Sequence, residues 1–551
     1  MSLRNSVVLL LASIGITALS GCGGSSTNIA SPPPSGAFSN SNLNGTYVFS
    51  FSGYDVGYGN GSFFAVVGSL MANGSGTLTG GTVDIDDPSL GESFQTSDVL
   101  TRVPVTGTYN ITPDGRGSGT IAFAVNGTQV QFGLDFVLTS GSHGLITRFD
   151  SDGSGSGTID LQAAGVSQSA LQGSYAFGLY GADGTAVNPL SVAGSVSLDG
   201  NGNVTTGLED FNDNGNSSNL QSLNLQGTLL TGLPGTAQLN SDAGVFGALK
   251  FDVWPIDSTH LKLIETDSAS YLEGDAFVST GQTAFPSGPL VYTLSGEDTA
   301  QGPFAAGGLL TSDGSGSITS GLEDVNDEGD VASAPNVTGS FTSSGPRTVL
   351  TLNGIYNGSF PNNSVSTGNY TFAAYPFNGG VMMLEIDNGA GSTLGVSSGN
   401  IYPQTATSLA SSQGYGLNLS GANNNGEVDM ISEFTANGDT MTGLYDVNNS
   451  GLLVSDASLG TGTFSTASNG RGTLSFPSLQ TNGNSMISAL NMTFYVVDNS
   501  TIVFLETDAN QISTGAFDLQ NASGAPSSAA QARLMAVRPV TPAARILSPH
   551  K

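Results

Sequence analysis

The residues best placed to do chemistry in this chain are acids and amides that recur. Asp210, Asn212, Asn214 and Gly215 return as Asp324, Asn326, Glu328 and Gly329, then as Asp446, Asn448, Ser450 and Gly451. Side-chain oxygens at alternate positions followed by glycine are what a chain needs to fold around one hard cation, so calcium is one reading of these loops. Only the first half of such a loop is present, because the twelfth position holds Gln221, Pro335 and Ala457 where a bidentate glutamate would complete it. The competing reading, which the missing half favours, is a turn in which Asp and Asn bond their own backbone. The first copy departs further, with Asp84, Asp86 and then Pro88.

A second recurrence is acidic: Glu265 and Asp267, Glu385 and Asp387, and Glu506 and Asp508, each two apart on a predicted strand and therefore on one face. Paired carboxylates hydrolyse glycosides when they flank a bond from opposite sides, for which neighbours on one strand are poorly placed. Repetition in three places points instead to a structural role, such as accepting backbone hydrogen bonds near a barrel end. Other catalytic sets are weaker. Gly395-Val396-Ser397-Ser398-Gly399 spells a nucleophile elbow, but such a match is expected by chance in so Gly- and Ser-rich a chain. The three histidines, His143, His260 and His550, fall in different contexts and suggest neither a triad nor a metal cluster. Trp254, the single tryptophan, reads as a packing or rim residue before a sugar-stacking one.

The elements that position these residues are strands. Of 551 residues 78 are glycine, and 43 Asp and Glu face only 12 Lys and Arg, a net charge of −31 that excludes nucleic acid as a partner. A segment opening NGTYVFSFSG at Asn44 returns as QGSYAFGLYG at Gln172, LVYTLSG at Leu290 and QGYGLNLSG at Gln413, with Tyr47, Tyr175, Tyr292 and Tyr415 equivalent. Apolar residues alternate within these runs, and Asp-Gly and Asn-Gly pairs separate them as in hairpins. The fold class expected is all-β: four tandem, antiparallel up-and-down barrels of about eight strands each, at 42–165, 170–282, 288–404 and 408–520. Two-sheet β-sandwiches are the alternative. The likeness to lipocalin and avidin barrels is one of architecture only.

At the amino terminus, residues 1–21 combine one cation, Arg4, with the apolar run SVVLLLASIGITA, which is too short to span a bilayer. The following Leu19-Ser20-Gly21-Cys22 resembles the lipobox of bacterial lipoproteins. That resemblance implies cleavage before Cys22, acylation of its thiol, and a lipid bilayer as partner through the acyl anchor. As Cys22 is the only cysteine, no intrachain disulfide can form. Residues 22–41 read as a flexible tether. Residues 521–551, with Arg533, Arg538, Arg545, Lys551 and no acid, read as a cationic irregular tail. Lipobox and repeats together resemble uncharacterised bacterial lipoproteins built of Gly-, Ser- and Asn-rich β-units. The location this implies is export and lipid anchoring to the cell envelope, at the outer membrane or cell surface. With no convergent catalytic set, the expected role is a non-enzymatic adhesive or ligand-binding array for a glycan, cell-wall material or a small molecule. A structural envelope spacer is the alternative, and a carboxylate-dependent hydrolase a second one, with specialisation expected in the first unit, where Arg148 replaces the glutamate.

Overall fold

The computed structural model describes residues 38–522 apart from short internal segments at 57–60, 91–96, 185–187, 214–219, 230–232, 242–247, 268–269, 282–283, 298–301, 357–365, 388–394, 478 and 480–488. Cys22, the signal, all but the end of the tether, Asn214 and nearly all of the cationic tail lie outside the described residues.

The chain is nearly all β and forms four closed antiparallel barrels of eight strands each, as the alternating pattern requires. In unit 2 the strands follow one another in space as in sequence: Gln172–Asp183, Pro189–Asp199, Asn203–Asp213, Leu220–Leu229, Gly235–Ser241, Ala248–Pro255, His260–Glu265 and Ser270–Val278. The last then pairs with the first, Tyr175 opposite Val278, so no edge remains. Hairpins close where the sequence places Asp-Gly-Asn-Gly. Asp199 Oδ1 accepts the Asn201 and Asn203 N–H groups at 2.7 and 3.0 Å, while Gly200 and Gly202 take φ of 76° and 95°.

Units 1 and 3 close the same way through pairing of their second and third strands, Phe63–Asn73 with Thr77–Asp86 and Pro303–Ser312 with Ser317–Asp327. Their fourth strand is broken, into Val99–Pro104 and Thr106–Ile111 in unit 1 and Asp330–Ala334 and Thr338–Ser344 in unit 3. Units 2 and 4 keep that strand continuous, but its register with the third strand shifts twice.

Inward residues fill the barrels. Unit 1 packs Phe49, Phe51, Phe64, Phe123, Phe132 and Phe136 into its core. Unit 2 uses mainly Leu and Val around Tyr175, Phe177, Phe211 and Phe251, and keeps an apolar-lined cavity of about 50 Å³.

The units also bury outward faces on one another. Phe63, Val67, Tyr180, Trp254 and Ile264 join units 1 and 2; Ala193, Phe277, Tyr375 and Met382 join units 2 and 3; Val291, Leu309, Tyr495 and Leu505 join units 3 and 4. Val137, Leu145 and Ile431 then join unit 4 back to unit 1. Each seam sets the first three strands of one barrel against the sixth to eighth of the next. A head-to-tail contact repeated by rotation makes a ring when the rotation closes, and here it closes within one chain. A small cavity of about 70 Å³ lies inside the ring, lined by units 1, 3 and 4.

Candidate functional site

The Asp-x-Asn motif stands at the seams. Its Asp, near the end of the third strand, first serves its own barrel by accepting a backbone N–H of the fourth strand: Asp84 from Arg102 at 2.5 Å, Asp210 from Ser222 at 3.0 Å, Asp446 from Asp456 at 2.6 Å. Arg102, Ser222 and Asp456 have φ of 52°, 54° and 52°, so the carboxylate anchors a bulge in the left-handed region. In unit 3, Asp324 takes the Ser333 hydroxyl instead.

The same carboxylate then meets the next barrel. Arg347 of unit 3 grips Asp210 with two bonds of 2.8 Å, and Arg471 of unit 4 grips Asp324 at 2.6 and 2.7 Å. Tyr375 and Tyr495 donate their hydroxyls to the same two acids. At the closing seam Arg116 of unit 1 reaches Asp446 and Asp456, both at 2.8 Å. Burial works against the Arg116 charge, but the Asp446 and Asp114 carboxylates outweigh it and hold its pKa above the ordinary value. Burial likewise raises the Asp446 pKa more than Arg116 lowers it.

The Asn is a latch. Asn326 Nδ2 donates to the carbonyls of Glu506, Asp508 and Gln511 at 2.9, 3.1 and 2.9 Å. Asn448 does the same to Arg148, Asp150 and Gly153 at 2.9, 3.1 and 2.7 Å, and Asn212 to Glu385 and Gly395 at 3.1 and 3.0 Å. The other end of the amide accepts from the motif glycine, Gly329 at 3.0 Å and Gly451 at 2.8 Å. Those glycines sit at φ of 93° and 82°, and a Cβ would lie 2.2 Å from the Ala509 carbonyl oxygen or 2.5 Å from that of Ser151. Glycine therefore serves both the turn and the approach of the neighbouring barrel.

The seam between units 1 and 2 is built from other residues. Trp254 takes the place of Tyr375 and Tyr495, and its Nε1 donates to Asp84 at 2.6 Å. Gly235 opens the fifth strand where Arg116, Arg347 and Arg471 open theirs, and Arg102 pairs with Asp252 at 3.4 Å instead. Burial, with Asp252 adding repulsion, pushes Asp84 up to about 7. Asp86 replaces the latch asparagine; it is fully buried, and neither oxygen has a hydrogen-bond partner among the described residues.

The paired acids stand where the latch docks. In each of three units the seventh strand, His260–Glu265, Gly380–Glu385 or Thr501–Glu506, ends on the glutamate, and the aspartate lies two residues beyond. Glu265, Glu385 and Glu506 are buried and accept from Ser270, Ser397 and Ser513. Asp267, Asp387 and Asp508 accept the backbone N–H of Lys250, Thr371 and Asn491 on the sixth strand. Glu328 forms the turn at φ 49°. Ser397 lies inside the strand Val396–Pro403, so its surroundings are not a strand-to-helix elbow.

Sequence reasoning missed two sets. Three of the 12 cations, Arg116, Arg347 and Arg471, open the fifth strand of three units, a recurrence visible in DGRG, GPRT and NGRG. His143 and His260 also share a repeat position, seven residues before Asp150 and Asp267. Each is buried and bonded to an aspartate at 2.7 Å, Asp160 and Asp275.

A groove of about 700 Å³ lies over units 1 and 4. Its floor is the outer face of unit 1, where Thr108 faces Thr120 and Asn110 faces Ser118 across neighbouring strands. Gly133, opposite Thr120, leaves a dip, with Gln131 and Phe149 beside it. Arg116, Asp446 and Asp456 close one end next to Asp135, whose pKa burial pushes up to about 8. Neutral hydroxyls and amides in rows beside the Phe149 ring suit a polyhydroxylated ligand.

No family model and no curated protein matches the chain. Among solved structures, one titled "The Structure of Intact Ap-TbpB (N and C lobes)" aligns over 92% of this chain and 98% of its own, at 9% identity and a TM-score of 0.16. At that score the overlap carries no argument about fold or role. Among the described residues no helix is long and apolar enough to cross a membrane, a statement that does not extend to strands.

Proposed function

We propose that the protein is an exported lipoprotein, anchored at the cell envelope through Cys22, that presents a rigid ring of barrels as a non-enzymatic binding platform for glycan or cell-wall polysaccharide. The observation that carries this reading is the groove over units 1 and 4, with its rows of uncharged hydrogen-bonding side chains on a face that the ring holds still. Pre-organisation of this kind lowers the entropic cost of binding. The groove falls on unit 1, whose sequence departs most from the repeat. The Asp-x-Asn loops act in this reading as latches between barrels.

The test is retention of the acyl-free chain on a panel of glycans and cell-wall preparations, repeated with Thr120→Arg, which fills the groove floor from an outward position. The expected result is retention by the native chain and at least a tenfold loss in the variant. No retention across the panel, or equal retention by both, contradicts the reading.

A further inference from the structure

Three of the four seams are latched by an asparagine, and the exception shows what replaces it. Asn326 and Asn448 each donate to three main-chain carbonyls of the following barrel. Register places Ser270 of unit 2 where Gln511 and Gly153 stand, each eight residues before the partner of the repeat tyrosine. With Glu265 and Asp267 it completes the matching set of oxygens opposite Asp86. A carboxylate offers them only more oxygens. It is fully buried with both oxygens unpartnered among the described residues, and the four charged groups acting on it most, Glu265, Asp87, Asp98 and Asp267, are all acids.

Burying an isolated carboxylate among acceptors is costly unless something positive stands between them. A proton on Asp86 could serve one carbonyl. A hard dication could take the place of the amide nitrogen and engage several at once, since calcium accepts carboxylate and main-chain oxygens together in flexible geometry. Among the described residues no three acidic, histidine or cysteine side chains converge to hold a metal by themselves. The ligand set here is different: the Asp86 carboxylate and main-chain oxygens. We propose that the seam between units 1 and 2 binds one calcium-like divalent cation between Asp86 and the main-chain oxygens of Glu265, Asp267 and Ser270, so that a metal does at this seam what an asparagine does at the other three.

The molecule carries its own probe. Trp254 is the single tryptophan, and its indole nitrogen lies 2.6 Å from the carboxylate of Asp84, two residues before Asp86. Terbium, a luminescent stand-in for calcium, therefore glows by energy transfer from Trp254 when held at this seam and not when held at Asp210, Asp324 or Asp446. In the full-length protein the expected result is tryptophan-sensitised emission that saturates at one terbium per chain and is displaced by calcium. Asp86→Asn, which installs the residue the other seams use, should weaken terbium binding at least tenfold while the chain stays folded in EDTA. Absence of sensitised emission from the native chain overturns the proposal whether or not the variant folds. So does emission unchanged in Asp86→Asn, or a melting temperature indifferent to calcium that responds only to pH, the mark of a protonated Asp86.

Discussion

The seam between units 3 and 4 and the seam between units 1 and 2 occupy equivalent places in the ring but are held differently. At the former, Asp324 receives two bonds from Arg471 and one from Tyr495, and Asn326 fills three carbonyls. At the latter, Asp84 meets an indole and the Arg102 main chain but no guanidinium, and the amide is replaced by an acid. A repeated interface thus tolerates exchange of its polar chemistry while its apolar patch persists, Tyr495 and Leu505 in one seam, Trp254 and Ile264 in the other. Burial supplies affinity at both; the polar set fixes register and decides how each seam responds to pH and ions.

The largest contrast should come from removing the hub acid. Asp324→Ala takes both bonds from the Arg471 guanidinium, leaves the Tyr495 hydroxyl to the Gly307 carbonyl, and should cost about 3 kcal/mol, the low end for a buried pair because the Arg471 side chain is 31% exposed. Asp84→Ala strands the Trp254 indole N–H and the Arg102 backbone N–H and should cost about 1–3 kcal/mol. Chemical denaturation of both variants checks the order, and equal losses would break the comparison.

Glycine at the latch gives a smaller difference. Gly329→Ala meets the Ala509 carbonyl and should lose more than about 2 kcal/mol. Gly127→Ala, with φ of 82° but nothing within 4 Å, should lose about 1 kcal/mol.

Acidity sharpens the comparison further. Burial raises Asp84 and Glu323 to about 7 and Asp135 and Glu433 to about 8, from ordinary values of 3.8 and 4.5. Between those limits the folded chain holds protons that the unfolded chain has released, so stability falls as pH rises through this window. The melting temperature should be higher at pH 5.5 than at pH 8.5, and Asp84→Asn should flatten the slope. A stability that increases with pH over this range would contradict these assignments.

The smallest effect concerns barrel interiors. Ala237→Val in unit 2 should fill part of the 50 Å³ cavity and gain up to about 1 kcal/mol, whereas enlarging Ala436, in the aromatic core of unit 4, should destabilise.

Strand alternation around Tyr47, Tyr175, Tyr292 and Tyr415 and the Asp-Gly turns made the barrels legible, because both signals are local. The candidate site was half legible. The Asp-x-Asn recurrence was plain, but its partners lie far along the chain, Arg347 137 residues from Asp210 and Gly153 295 residues from Asn448. Spacing carries no information about which barrel a loop will touch. The three arginines could have been found, since in a chain so poor in cations their shared repeat position needs a reason. The groove could not, because Thr108, Asn110, Ser118 and Gln131 look like any outward face until unit 4 walls them in.

The central claim is that the seams close four barrels into a ring, and small-angle X-ray scattering of the chain from Phe38 to Ala522 tests it most directly. A closed ring predicts a radius of gyration near the compact limit for this length, about 23 Å, and a pair-distance distribution with a single maximum. A radius above about 30 Å with several maxima, the profile of barrels strung in a line, would contradict it.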